Sequence, residues 1–168
     1  KVFETLFRAV AEASATTRCR LLILGRGRRG DRLAGLARRL GVGADGDRPG
    51  FERNPYAYMA KASVFVLSSR WEGMPVVLIE ALACHTPAVA TDCPSGPREV
   101  LDGQPVGELV PVGDPPAMAR AIRRMLEANV PREAFESAIR DYGVAASATR
   151  YLQLLGVAVP AAAAGKFR

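Results

Sequence analysis

Apolar positions along the 168-residue chain switch repeatedly between two spacings. Residues 2–13 put Val2, Leu6, Phe7 and Val10 at helical intervals, whereas residues 20–24 (RLLIL) form a short unbroken run stopped by Gly25. Helical spacing returns over 31–40, with Leu33, Leu36, Ala37 and Leu40, and closes at Gly41. The stretch 43–50 (GADGDRPG) carries no strand signal and reads as a loop. Asn54 and Pro55 suit the N-cap and first position of a short helix through about Ala62. A second buried strand follows at 64–67 (VFVL), then a helix 75–84 opened by Pro75. Residues 87–91 predict a third strand, Ser95-Gly96-Pro97 the start of a short helix to Leu101, and 108–110 a fourth, shorter strand. Helices are expected at 114–128, 131–140 and about 145–155, and the tail from 157 to 168 is expected to fray.

Strands this apolar, each followed by a helix, predict a doubly wound parallel α/β sheet covered on both faces. Such sheets bind ligands in the crevice at the carboxyl ends of their strands. The strand 64–67 aims that end at residues 68–73 (SSRWEG). One domain over 1–156 accounts for the pattern, and no internal repeat is visible.

Composition narrows the choice of partners. Hydrophobic content of 49% and charged content of 24% are ordinary for a globular domain, which excludes wholesale disorder. The net charge is +6. Its densest cluster, Arg26, Arg28, Arg29 and Arg32, has no interleaved aromatic residues, so nucleic acid is not an expected partner. A basic face compatible with acidic phospholipid headgroups fits better. Cys19, Cys84 and Cys93 are in no paired spacing and His85 is the only histidine, so neither a disulfide framework nor a metal site is expected. There is no apolar run of membrane-spanning length. The opening residues 1–7 (KVFETLF) are already in helical periodicity, and that abrupt start predicts a piece of a longer protein.

The chemistry concentrates in residues 67–82 (LSSRWEGMPVVLIEAL). Pro75 at a helix start leaves amides from Val76 and Val77 without intrahelical partners, and a helix start favours a phosphate. Gly73 lets a ligand approach the backbone. Glu72 lies just ahead of that start, and Glu80 lies five residues beyond Pro75, about 7.5 Å along the axis. The two carboxylates could grip opposite ends of one extended ligand, such as a sugar and a ribose flanking a diphosphate. Equally, Glu72 could be a first-turn helix charge and Glu80 a solvated surface residue; on these residues alone both readings stand.

The same residues resemble the E-x7-E motif of retaining, GT-B-type glycosyltransferases of family 4. The likeness extends to 54–60 (NPYAYMA), 86–101 (TPAVATDCPSGPREVL) and 107–114 (GELVPVGD), so it spans about residues 1 to 155. It implies a Rossmann-like, C-terminal donor-binding domain of a two-domain enzyme, without its first strand and without the N-terminal acceptor domain. Glu72 would lie beside the transferred sugar as the catalytic-site carboxylate, and Glu80 would hold the nucleotide ribose. The backbone of Gly73, Met74, Pro75 and Val76 would meet the sugar and diphosphate, and Lys1 would neutralise the leaving group. No metal or other cofactor is implied. The implied partners are a nucleoside-diphosphate sugar, a UDP-hexose or UDP-N-acetylhexosamine, and a saccharide or lipid-linked acceptor. The implied place is the cytoplasm, with peripheral contact at an acidic membrane face as an option.

Departures from the family pattern keep two other functions in view: a non-catalytic nucleotide-binding or interaction module, and another enzyme of the same fold such as a nucleotide-sugar epimerase. Arg26 stands where an acidic residue is common, and 43–50 replaces a usual strand. His85 takes a helix-end place usually held by glycine. Trp71 reads as a packing residue at the crevice edge, and Tyr56 and Tyr58 as packing and surface residues. Arg98 and Glu99 read as capping or pairing around their short helix, although Ser95-Gly96-Pro97 could approach the donor.

Overall fold

The computed structural model describes residues 2–25, 30–42 and 47–157. Its elements, in chain order, are α1 (Phe3–Ser14), β1 (Leu22–Leu24), α2 (Gly30–Arg39), β2 (Asp47–Gly50), α3 (Tyr56–Met59), β3 (Phe65–Leu67), α4 (Val76–Ala83), β4 (Ala88–Thr91), α5 (Pro97–Leu101), β5 (Gly107–Val110), α6 (Pro115–Glu127), α7 (Arg132–Ile139), a short 3-10 turn (Arg140–Tyr142) and α8 (Val144–Leu154). All strand pairs are parallel, as the unbroken apolar runs predict. β3, β4 and β5 form a three-stranded sheet with β4 central, and β1 pairs with β2 in a second sheet.

Period-two alternation along these strands sorts the core into two layers. Val64 and Val66, Val89 and Val110 face α1 and α6, where Leu6, Phe7, Val10, Met118 and Ile122 meet them. Leu21, just before β1, and Ile23 within it join the same layer, so both sheets share one helical cover. On the opposite face Phe65, Leu67, Ala88, Ala90 and Leu109 pack against Leu78, Leu82, Val100 and Phe135 from α4, α5 and α7. All four residues of β4 are buried, which is the burial a central strand with helices on both faces must show.

Two expectations need correction. Residues 47–50 form a strand and not a loop: Leu22 pairs with Asp47 and Leu24 with Gly50, and the Gly25 amide donates to the Gly50 carbonyl at 2.6 Å. Backbone pairing makes this strand where its side chains give no signal, and a proline is tolerated where a strand is not central. The other correction is at Pro75, which precedes α4 as its N-cap (φ −80°, ψ 70°) and is not its first helical residue.

At the far end of α4, His85 has φ +57°. Its amide donates to Leu82 O at 2.9 Å, and that of Thr86 to Ala81 O at 3.1 Å. That pair of bonds is the Schellman closure, which places a left-handed residue after the C-cap and explains why glycine suits the position.

Candidate active site

β3 pairs with β4 as far as Leu67 and Ala90, and the chain beyond β3 is held by a side chain instead of a ladder. The Thr91 hydroxyl accepts from the Ser69 amide at 2.9 Å and lies 2.6 Å from Ser69 O, to which it donates. Thr91 and Ser69 are buried, so this clasp satisfies two backbone groups that water does not reach. Ser69 is thereby fixed, and its own hydroxyl donates to Glu72 Oε1 at 2.5 Å. Just before it, the Val2 amide donates to Ser68 O at 2.6 Å, tying the start of α1 to the same corner.

The loop between Glu72 and α4 rests on the turn before α5. Ser95, with φ +58°, donates from its hydroxyl to Glu72 O at 2.6 Å. Gly96, with φ +73°, lies so close that a Cβ there would stand 2.2 Å from Gly73 O and 2.6 Å from Pro75 Cδ. Glu99 accepts from the Gly96 amide at 3.2 Å, and Arg98 pairs with Asp92, as expected of two residues that order this short helix. The turn 95–97 therefore supports the loop from behind.

At Pro75 the chain makes a tight inverse γ-turn, with the Val76 amide donating to Met74 O at 3.0 Å. Val76 is thus engaged, which corrects the expectation that its amide is an orphan; Val77 is the next amide of the first turn. Pro75 is buried, whereas Gly73, Met74 and Val76 are exposed.

Glu80 is half-buried on the flank of α4. Its Oε1 accepts from the Tyr56 hydroxyl at 2.9 Å. That hydrogen bond, with the carboxylate charge behind it, holds the Tyr56 phenol above its usual pKa, so it stays a donor. Cys84, one turn along α4 from Glu80, meets the Tyr56 carbonyl through Sγ at 3.9 Å. Tyr56 therefore couples to the site, where its sequence suggested a packing or surface residue. Trp71, expected to pack at the crevice edge, is 75% exposed.

Glu72, Gly73, Met74, Pro75, Val76 and Glu80 thus fall on one loop and one helix at the carboxyl end of β3. Lys1 and Arg26 lie outside the described residues. Sequence reasoning missed Ser69, Thr91 and the role of Tyr56. The Ser-x-x-Glu spacing of 69 and 72 was a readable local signal; the other two contacts span 22 and 24 positions and leave none. Among the described residues no cluster of three or more histidine, cysteine or carboxylate side chains is arranged for a metal ion. A surface depression of about 650 Å³, lined by Asp92, Ser95, Arg98, Glu99 and Asp102 among others, borders the site through Ser95 but includes neither Glu72 nor Glu80. The Glu72–Glu80 site is the better candidate, because its carboxylates are held by neutral hydroxyls and, among the described residues, keep their charge uncompensated, whereas Asp92 in the depression is already paired with Arg98.

Known proteins are similar to this chain in sequence and in fold. An N-acetylgalactosamine-N,N'-diacetylbacillosaminyl-diphospho-undecaprenol 4-alpha-N-acetylgalactosaminyltransferase from Campylobacter jejuni is 39% identical over 127 residues, 76% of this chain and 35% of that protein. The apo lipopolysaccharide outer core galactosyltransferase WaaB superposes with a TM-score of 0.81 at 23% identity, over 92% of this chain and 44% of that one. Anabaena HepE in complex with UDP does so with a TM-score of 0.78 at 21% identity, over 90% and 44%. The chain spans about a third of the length of the Campylobacter relative and under half of each structure. These structural neighbours are GT-B glycosyltransferases, and the parallel α/β fold is theirs. The family described as Glycosyl transferases group 1 matches residues 1–128, most of the chain, and the protein belongs to that family.

Proposed function

We propose that this chain is the C-terminal, donor-binding half of a retaining glycosyltransferase. Its donor is a nucleoside-diphosphate sugar, UDP-linked, carrying a hexose or N-acetylhexosamine, and its acceptor is a saccharide or a lipid-linked saccharide. The observation that carries this reading is that Glu72, just ahead of α4, and Glu80, on its flank, are each held by a dedicated hydroxyl, from Ser69 and Tyr56. A pair of carboxylates so held suits a ligand with hydroxyls at both ends and a diphosphate between them.

In this reading Glu80 accepts the ribose hydroxyls and Glu72 accepts hydroxyls of the sugar. The diphosphate lies over the start of α4, against the Gly73 and Met74 backbone and the Val77 amide. Transfer breaks the bond from the anomeric carbon to the diphosphate oxygen and forms one to the acceptor oxygen on the same face, while the acceptor's hydroxyl proton passes to the departing diphosphate. Negative charge then grows on the departing diphosphate, and the positive end of α4 is where fixed dipoles lower that barrier. Lys1 is assigned a share of the same charge through the family resemblance, and its neighbour Val2 is bonded at Ser68. The family resemblance also makes the chemistry metal-independent. The acceptor specificity of the relatives, and the net charge of +6, make a cytoplasmic site beside an acidic membrane face the working location.

Isothermal titration of the folded protein with UDP, GDP and their hexose and N-acetylhexosamine conjugates tests the reading. Saturable binding of a nucleoside diphosphate is expected. Heat with none of these ligands would overturn it.

A further inference from the structure

Tyr56 sits on α3, outside the loop and helix that carry the site residues, yet its hydroxyl reaches Glu80 across 24 positions of sequence. The carboxylate torsion of a glutamate is soft and broadly two-fold. Among the described residues its one donor, at 2.9 Å on Oε1, restrains the plane of that group and leaves Oε2 open. Glu80 and Cys84 stand one turn apart on the face of α4 that meets α3, and both contact Tyr56, one through its hydroxyl and one through its carbonyl. The ring is half exposed, so it contributes little packing of its own. Asn54 Oδ1 accepts from the Ala57 amide at 3.3 Å and anchors the start of the short helix that carries the tyrosine.

We propose that Tyr56 is a positioning residue for nucleotide recognition: it orients Glu80 so that Oε2 meets a ribose hydroxyl edge-on, and thereby tunes affinity for the nucleoside part of the donor. This rests on the ribose role given to Glu80 above. A phenol held in its protonated form is suited to the task, since it donates without adding charge beside a diphosphate.

The test compares UDP with inorganic diphosphate, which lacks the ribose, on the intact chain and on Tyr56→Phe, Glu80→Gln and the double variant. Removing one hydrogen bond to a charged group should weaken UDP binding about three- to tenfold in Tyr56→Phe. Diphosphate binding and the melting temperature should stay as in the parent, which a merely structural role would not produce. In the Glu80→Gln background the second substitution should add nothing. UDP affinity unchanged in Tyr56→Phe while Glu80→Gln weakens it overturns the role of Tyr56 alone. Affinity unchanged in both variants overturns the ribose role of Glu80, and this inference with it. Equal losses for UDP and diphosphate in Tyr56→Phe assign the tyrosine to the fold and also overturn it.

Discussion

Ser69 Oγ lies 2.5 Å from Glu72 Oε1, and Ser69 is itself held by the hydroxyl of Thr91 at the carboxyl end of the neighbouring strand. The carboxylate at the crevice mouth is therefore aimed by the sheet and not by its own loop. Pre-set orientation is what lets a charged group act on a ligand without reorganising first. Ser69→Ala should weaken binding of a UDP-sugar about three- to tenfold while leaving UDP itself within about twofold, read by titration calorimetry.

Thr91 carries a larger structural share. Replacing its hydroxyl with a methyl in Thr91→Val leaves the buried amide and carbonyl of Ser69 without their partner. Unsatisfied buried groups cost about 1–3 kcal/mol each in mutational series, so a loss of that order is expected in denaturant unfolding. Thr91→Ser keeps the hydroxyl and should retain most of the stability, which separates the hydrogen bonds from the packing.

Gly96 is the point where the α5 turn touches the donor loop. Its φ of +73° and a projected Cβ 2.2 Å from Gly73 O leave no room for a side chain. Gly96→Ala must displace residues 73–75 or strain the turn, at a cost of about 1–3 kcal/mol from the backbone conformation alone. Thermal unfolding should show that loss, and UDP-sugar affinity should fall with it.

His85 offers a test away from the site. Both His85→Gly and His85→Ala lose the edge-on contact with the Phe135 ring, whose centroid is 5.7 Å away. The two variants differ in how they bear φ +57°. The glycine variant should be more stable than the alanine variant by about 1 kcal/mol, measured by denaturant titration.

How much of this was legible follows from what each feature is made of. The parallel layers were readable because Val64 to Leu67 and Ala88 to Ala90 are apolar on both faces, and only a covered sheet buries such strands. Glu72 and Glu80 were readable as a pair, since eight positions of sequence and one helix start fix their relation. The strand at Asp47–Gly50 was not, because its hydrogen bonds to β1 are made by backbone that any residue supplies. The Pro75 boundary slipped by one residue because its ψ, and not its ring-fixed φ, decides whether the helix has begun. Trp71 misled for another reason: a large aromatic is usually buried by something, but among the described residues it is not. Tyr56 and Thr91 act on partners more than twenty positions away, and no local pattern encodes that.

The central claim is that Glu72 reads the sugar while Glu80 reads the nucleotide, and parallel titrations of UDP and UDP-sugar against Glu72→Gln and Glu80→Gln test it most directly. A donor panel of UDP-glucose, UDP-galactose and their N-acetylated counterparts supplies the conjugate. Glu80→Gln should weaken both ligands alike, whereas Glu72→Gln should weaken only the conjugate, about tenfold, as a charge-assisted hydrogen bond becomes a neutral one. Equal loss of both ligands in Glu72→Gln, or no loss in either variant, would contradict the assignment.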